Sequence, residues 1–129
     1  MNDNERREKS KGHILVVAHD ELWSKFVENT LRRTDAVEDS FTLDEAREHL
    51  KNEKYWIIIL SSKVVPDKVH EFESFLSYTN NAKIIVVRHP KDTHHRINDK
   101  HLKQMGVIVE DRPTDGKGLR RLMKIASGK

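Results

Sequence analysis

Short apolar stretches alternate along the chain with segments in which apolar residues recur every three or four positions. The stretches read HILVV from His13, AVEDSF from Ala36, YWIIIL from Tyr55, KIIVV from Lys83 and GVIV from Gly106. Apolar runs of this length are typical of strands, and the three-to-four spacing is typical of amphipathic helices. The alternation predicts an α/β domain in which helices cover both faces of a parallel sheet.

Three of the five predicted strands are apolar at every central position. These are residues 14–17, 57–60 and 84–87, and such continuous runs are typical of strands buried on both faces. The stretch AVEDSF alternates between apolar and polar residues, which places it at an edge. Together with right-handed crossover connections, these differences predict the strand order 2-1-3-4-5 with the first, third and fourth strands buried.

Local signals mark where the five predicted helices begin and end. Asp20 is a plausible N-cap for the first helix, and Thr42 with Glu45 forms a capping box for the second. Pro66 should open the third, and Gly106 should close a short, polar fourth helix. The predicted inward positions are, in chain order, Leu22, Trp23, Phe26, Val27, Thr30 and Leu31; Leu43, Ala46 and Leu50; Val69, Phe72, Phe75 and Leu76; Ile97, Leu102 and Met105; Leu119, Leu122, Met123, Ile125 and Ala126.

Length and composition set further limits on the class of protein. The 129 residues suffice for one domain, which we expect to span residues 12–129 after a polar, flexible tail of residues 1–11. No apolar run approaches the roughly 18 residues of a membrane span, no signal peptide is recognisable, and there is no cysteine. We therefore expect a cytoplasmic domain that makes no membrane contact.

The charge balance argues against a nucleic-acid partner. The formal net charge is +3, but 21 acidic residues are interleaved with 24 basic ones. A DNA- or RNA-binding face needs a basic stripe or a recognisable reading motif, and neither is present. The modest basic excess is typical of an ordinary solvated surface, so we do not expect nucleic acid to be a partner.

The arrangement of these motifs resembles the receiver domain of two-component response regulators. The resemblance rests on ILVV in the first strand, on a long apolar third strand followed by Pro66 and Asp67, and on Arg112 before Pro113 after the fifth strand. It covers residues 12–127. It implies a flavodoxin-like three-layer α/β/α fold with a five-stranded parallel sheet.

The resemblance also implies where the family's phosphorylation residues fall. The acidic pair after the first strand falls on Ala18 and His19, with Asp20 one position further along. The phosphoacceptor aspartate falls on Ser61, and the hydroxyl residue after the fourth strand falls on Arg88.

Two further family positions lie in and after the fifth strand. The aromatic switch residue falls on Val109, and the lysine before proline falls on Arg112. The family commonly has a cis peptide bond at the position that corresponds to Arg112 and Pro113, so a cis bond is expected here. Only the cation followed by proline is retained, which makes the chain similar to a degenerate receiver, or pseudo-receiver.

The residues at these positions do not suit phosphoryl transfer. The reaction needs a hard divalent cation held by carboxylates, and Ala18 and His19 offer no pair of hard oxygen ligands. A serine such as Ser61 without a neighbouring base is a poor nucleophile. Arg88 and Arg112 at one edge of the sheet would repel Mg²⁺. We therefore expect no enzyme activity, no bound metal ion and no cofactor.

Some of these residues have an ordinary structural explanation as well as a functional one. Ser61 and Ser62 at the end of a strand are expected to cap the backbone. The histidines His94 and His95, near His89 and His101, lack the spacing of a helical metal pair, so a metal site there is disfavoured.

The two arginines allow two interpretations. Guanidinium groups at the carboxyl edge of a sheet can hold an anion or a carboxylate of a partner. The favoured alternative is that Arg88 and Arg112 form internal ion pairs with neighbouring acidic residues, for which the candidates are Asp20, Glu21, Glu110 and Asp111.

The leading hypothesis for function is a non-catalytic signalling domain that acts through protein–protein contact, independently of phosphorylation. Its partner would be another signalling protein or a second copy of the chain. By resemblance, a homodimer would form through the fourth helix, fifth strand and fifth helix. The charged residues on this candidate interaction face are Lys100, Lys103, Glu110, Asp111, Arg120, Arg121 and Lys124. The alternative is a flavodoxin-like domain that binds an anionic small ligand at the carboxyl edge of the sheet.

Overall fold

The computed structural model of the chain describes residues 12–90 and 97–128. The strands are β1 (Gly12–Val17), β2 (Asp35–Ser40), β3 (Ile57–Ser61), β4 (Lys83–Arg88) and β5 (Ile108–Asp111). The helices are α1 (Glu21–Leu31), α2 (Leu43–Asn52), α3 (Val69–Leu76), α4 (Asp99–Gln104) and α5 (Gly116–Ser127). Strands and helices alternate along the chain as predicted. The expected flexible tail of residues 1–11 lies outside the described residues.

All strand pairs are parallel, and the strand order is β2-β1-β3-β4-β5. The side chains of β3 are buried along its whole length, whereas β2 is half-buried along most of its length. The prediction of the sheet, of its order and of its edge strand is confirmed. The continuous apolar runs identified the central strands because helices cover them on both faces.

Each face of the sheet carries its own apolar core. On one face Leu15 and Val17 of β1 pack with residues of α2, α3 and α4, including Leu50, Phe72 and Leu102. On the other face Ile14 and Val16 pack with residues of α1 and α5, namely Trp23, Val27, Leu31, Leu119, Leu122 and Ala126. Successive side chains of a strand point to opposite faces, so the odd and even positions of β1 are divided between the two cores. The predicted three-layer α/β/α arrangement is confirmed.

The first and third helices each differ from the prediction in one detail. Leu22, expected to face inward, is 84% exposed, whereas Trp23 and Ser24 in the same turn of α1 are buried, so Leu22 lies on the solvent side of the helix. The third helix does not open at Pro66. A 3-10 turn at Ser62–Val64 comes first, Val65 is buried in the core, and α3 starts only at Val69. Across the described ranges, no helix is both long enough and apolar enough to cross a bilayer.

Candidate functional site

The chain leaves β1 through two residues that offer no pair of oxygen ligands. Ala18 is 1% exposed and packs in the core beneath α1 and α5, and its backbone N–H donates to the carbonyl of Ser40 at 3.0 Å. His19 is exposed. The positions of the family's acidic pair therefore hold a buried methyl group and a solvated imidazole.

Asp20 is the carboxylate at this end of β1, and both of its oxygens are occupied. Oδ1 accepts the backbone N–H of Trp23 at 3.1 Å and so caps α1, as predicted. Oδ2 accepts from Nη1 of Arg112 at 3.1 Å. The hydrogen bond from Trp23 and, after it, the interaction with Arg112 lower the pKa of Asp20, although partial burial opposes them. The carboxylate is ionised at neutral pH and serves as a cap and an ion-pair partner.

Arg112 and Trp23 lock the loop after β5 onto the start of α1. The Arg112 side chain is only 14% exposed, and its guanidinium carbon lies 5.4 Å from the centre of the Trp23 ring. The indole Nε1 donates to the carbonyl of Pro113 at 3.0 Å. The buried Nε of Arg112 has no hydrogen-bond partner among residues 12–90 and 97–128. The Arg112 side chain is thus held by a carboxylate on one side and an aromatic face on the other.

Arg88, at the end of β4, has different acidic partners. Its Nε donates to Oδ1 of Asp111 at 3.1 Å, and its Nη1 pairs with Asp99 in the first turn of α4. The prediction that the two arginines form internal ion pairs is confirmed, for Arg112 with Asp20 and for Arg88 with Asp111. Asp99 was not among the expected partners, and nothing in the local sequence connects it to Arg88.

Ser61 and Ser62, which follow the apolar part of β3, accept hydrogen bonds from backbone N–H groups, as expected. Ser61 is 3% exposed, and its hydroxyl accepts the N–H of Lys63 at 3.4 Å. The hydroxyl of Ser62 accepts the N–H of His89 at 3.0 Å, which joins the end of β3 to the end of β4. His94 and His95, part of the disfavoured histidine site, lie outside the described residues.

The remaining positions named by the resemblance lie in the core and in the loop after β5. Val109 is 8% exposed and lies in the same core as Ile97 and Leu102. No peptide bond in the described chain is cis, so the expected cis bond between Arg112 and Pro113 is wrong. The trans form is the default even before proline, by about 0.5–1 kcal/mol.

The candidate interaction face carries most of its charged side chains in solvent. Lys100, Lys103, Asp111, Arg121 and Lys124 are exposed, and Glu110 is half-buried. The guanidinium of exposed Arg120 lies instead beside Gly116 and Thr30, at the boundary between α5 and α1.

An apolar side chain that was predicted to face inward also lies on this face. Ile125 is 41% exposed and borders a cavity of about 350 Å³ between β5 and α5. Arg121 and Leu122 line the same cavity, as do residues 110–115. The face therefore combines one exposed apolar side chain, Ile125, with a shallow depression whose lining is mostly polar and charged.

The solved structures that match this fold include response regulators and receiver domains. The chemotaxis response regulator CheY4 of Vibrio cholerae matches with a TM-score of 0.68 and 17% identity, over 90% of this chain and 98% of that one. A CheY-like receiver domain from Methanospirillum hungatei JF-1 matches with a TM-score of 0.72 and 18% identity, over 92% and 96%.

A third match is a response regulator from Burkholderia pseudomallei, whose structure contains a phosphorylated aspartic acid, a calcium ion and citrate. Its TM-score is 0.70 at 17% identity, over 92% of this chain and 70% of that one. No protein-family model and no curated protein sequence matches the chain. At these identities the likeness concerns the backbone: the chain has the CheY-like flavodoxin fold of response regulator receiver domains.

Proposed function

We propose that the chain is a receiver-like signalling domain that acts by binding a protein partner and does not accept a phosphoryl group. The observation that carries this proposal is the state of Asp20. The carboxylate at the end of β1 is committed to the cap of α1 and to Arg112 through both of its oxygens.

The metal requirement of phosphoryl transfer supports the first half of the proposal. Mg²⁺ retains a near-octahedral shell of oxygens, and proteins usually hold it with one or two carboxylates. Ala18 contributes no ligand, and releasing Asp20 would leave the N-terminal turn of α1 uncapped and Arg112 unpaired. Binding an ion here would therefore cost two existing interactions.

The candidate acceptor supports the same conclusion. The hydroxyl of Ser61 is buried and engaged with the backbone of Lys63. No general base contacts this hydroxyl among the described residues, and an unactivated serine is a weak nucleophile. The Burkholderia pseudomallei protein carries its phosphoryl group on an aspartic acid, a residue type that this chain lacks at Ser61.

The face formed by α4, β5 and α5 supports the second half of the proposal. Protein interfaces commonly have an apolar centre within a polar rim, and the exposed Ile125 beside the cavity has that setting. The mixed charges of Lys103, Asp111 and Arg121 would fix the orientation of a partner. A second copy of the chain and a different signalling protein are both compatible with this chemistry.

The geometry gives little support to the alternative of an anionic ligand at the carboxyl edge. A free anion would have to displace carboxylates that already occupy the guanidinium groups of Arg88 and Arg112. Charge-assisted bonds of this kind are strong, and the protein carboxylates are already held in place by the fold.

Phosphorylation is tested with acetyl phosphate and Mg²⁺ on the unmodified chain and on the Ser61→Asp variant. We expect no mass increase in either protein by intact-mass spectrometry, because one added carboxylate does not rebuild the rest of a Mg²⁺ site. An aspartyl-phosphate adduct, or saturable Mg²⁺ binding in the millimolar range, would contradict the proposal.

The interaction face is tested by the Ile125→Asp variant with Leu22→Asp as the matched control. Both residues are exposed apolar side chains on helices, but Leu22 lies on α1, outside the candidate face. Self-association is followed by sedimentation and by the concentration dependence of amide chemical shifts. We expect shifts on α4, β5 and α5 that Ile125→Asp removes and Leu22→Asp retains. Concentration-dependent shifts confined to other elements would exclude this face as a dimer interface.

A further inference from the structure

A cluster of histidine and glutamate side chains lies away from the carboxyl edge, on the face of the sheet that α2 covers. His13 lies near the start of β1, Glu38 lies in the edge strand β2, and Glu53 directly follows α2. One potential ligand atom from each of these three side chains lies within 4.8 Å of the other two. We propose that His13, Glu38 and Glu53, with His49 as the fourth ligand, bind a divalent transition-metal ion of the Zn²⁺ type.

The distances are close to those that a metal ion requires. Nδ1 of His13 lies 3.5 Å from Oε2 of Glu53, and Nδ1 of His49 lies 3.0 Å from Oε2 of Glu38. Zn²⁺ binds nitrogen and oxygen ligands at about 2.0–2.1 Å, so tetrahedral ligands lie about 3.3 Å from one another. Small side-chain rotations would bring His13, Glu38 and Glu53 around one ion, and His49 would join them from its place beside Glu38.

The ligand types indicate which ion fits. Two imidazoles with two carboxylates suit Zn²⁺ and related first-row ions, whereas Mg²⁺ and Ca²⁺ prefer a shell made of oxygen. This set of imidazole and carboxylate ligands therefore differs from the all-oxygen Mg²⁺ site that phosphoryl transfer requires. The cluster is also separate from the pair of Asp20 and Arg112. That pair lies at the carboxyl edge of the sheet, on other elements.

Tyr55 supports two of the ligands from behind. Its side chain is 4% exposed, and its hydroxyl donates to Oε2 of Glu38. Its ring meets the ring of His13 edge-on, with the centroids 5.9 Å apart. Hydrogen bonds and packing that orient ligands in this way are typical of the outer shell of metal sites.

The cluster is open to ions from solvent. The His13 and Glu53 side chains are 36% and 44% exposed. A cavity of about 420 Å³ adjoins the cluster, and its lining consists of Glu38, Glu45, Glu48, His49, Asn52 and Glu53. The four glutamates create a negative potential that attracts cations, although Lys51 partly offsets it through its ion pair with Glu48.

A bound ion would join three parts of the fold. It would tie the end of α2 and the residue after it to β1 and to the edge strand β2. Because the unfolded chain does not hold these ligands together, binding would stabilise the folded state by mass action. The thermal midpoint of unfolding should therefore rise with the concentration of free Zn²⁺.

The test is a Zn²⁺ titration of the full chain against a chromophoric chelator. We expect one tight site per chain, and we expect His13→Ala and Glu53→Gln each to weaken it by roughly tenfold or more. His101→Ala, at an exposed histidine of α4, is the matched control and should leave the affinity unchanged. A His94→Ala, His95→Ala double variant measures any contribution from those histidines.

Nitrogen chemical shifts of the histidine rings give a second readout on the unmodified chain. We expect Zn²⁺ to shift the ring nitrogens of His13 and His49 and to leave those of His101 in place. Absence of a saturable site would mean that the cluster forms ion pairs only. That result, or a site lost only in the His94 and His95 variant, would overturn the proposal.

Discussion

Asp20 combines two interactions that substitution can separate. Asparagine at this position can still cap α1, but it cannot form the ion pair with Arg112. Alanine removes both interactions. We expect Asp20→Ala to lower the free energy of unfolding by about 1 kcal/mol through the cap alone, with a smaller loss for Asp20→Asn. Denaturant unfolding at neutral pH measures both, and equal losses would mean that the cap contributes nothing.

The same carboxylate makes stability depend on pH. Because folding lowers the pKa of Asp20, the folded state binds its proton less readily than the unfolded state does. Its stabilisation is therefore fully present above the ordinary carboxyl pKa near 3.8 and is lost as the pH falls through the lower pKa of the folded state. We expect the stability difference between the unmodified chain and Asp20→Asn to shrink over that acidic range. A difference that is constant with pH would contradict this assignment.

Trp23 provides a second test at the level of one side chain. Trp23→Phe keeps an aromatic ring beneath Arg112 but removes the N–H that donates to Pro113. We expect a loss of about 1 kcal/mol in the free energy of unfolding, the usual net value of a hydrogen bond. Trp56→Phe is the matched control because the Trp56 side chain is 39% exposed. Equal effects of the two substitutions would show that the Trp23 hydrogen bond adds no stability.

Residue-scale predictions succeeded where the partner lies nearby in sequence. Asp20 caps a helix that begins at the next residue, and Ser61 bonds to the backbone two residues away. For Arg112 the sequence allowed only a few acidic partners. Parallel strands bring their carboxyl ends to one edge of the sheet, so the candidates were the acidic residues at or just after those ends. The bond from Trp23 to Pro113 spans 90 positions, and the chain carries no local signal for it.

Helix α2 offers a test at the level of a secondary-structure element. The hydroxyl of Thr42 accepts the N–H of Glu45 at 3.2 Å, and the Glu45 carboxylate accepts the N–H of Phe41 at 3.1 Å. Thr42→Ala should lower the free energy of unfolding by about 1 kcal/mol, while Thr42→Ser, which retains the acceptor, should cost less. Chemical denaturation compares the two variants. A serine variant as unstable as the alanine variant would argue against the capping role.

The sequence predicted which segments are helices and strands, but not where every helix begins or which of its side chains are exposed. Trp23, Val27 and Leu31 recur at four-residue spacing and do form the buried side of α1. Spacing alone could not show that Leu22 lies on the solvent side of α1, because that depends on how the helix is rotated against the sheet. Similarly, Pro66 is a good first residue for a helix, but the 3-10 turn and the buried Val65 delay α3 until Val69.

The whole molecule has two apolar cores that share one sheet, which predicts a single cooperative unfolding transition. Phe75 lies in the core on the side of α3, and Leu119 lies in the core beneath α5. Phe75→Ala should cost about 3–5 kcal/mol and Leu119→Ala about 2–5 kcal/mol, as is usual for fully buried side chains.

Trp23 fluorescence, measured in the Trp56→Phe background, reports the core beneath α1 and α5. In the Phe75→Ala variant, whose substitution lies on the opposite face, the fluorescence and circular dichroism transitions should still coincide. Separate midpoints would show that the two layers unfold independently.

At the scale of the whole chain, strand order followed from the hydrophobic pattern because burial on two faces leaves a continuous apolar run. The pairing of charged side chains at the carboxyl edge did not follow from any pattern. Arg88 contacts Asp99 and Asp111, from two later elements, and only the folded backbone brings those three side chains together.

The contacts of Asp20 and Trp23 with the loop after β5 can form only late in the synthesis of this domain. Asp20 and Arg112 are 92 positions apart, so the start of α1 lacks its cationic partner until the segment after β5 has been synthesised. β1 faces a similar delay, because its neighbour β3 follows β2 in the chain. The nascent chain therefore exposes the apolar side of α1 until α5, the last helix of the fold, has been made. Formation of the native core on this face of the sheet therefore waits for α5.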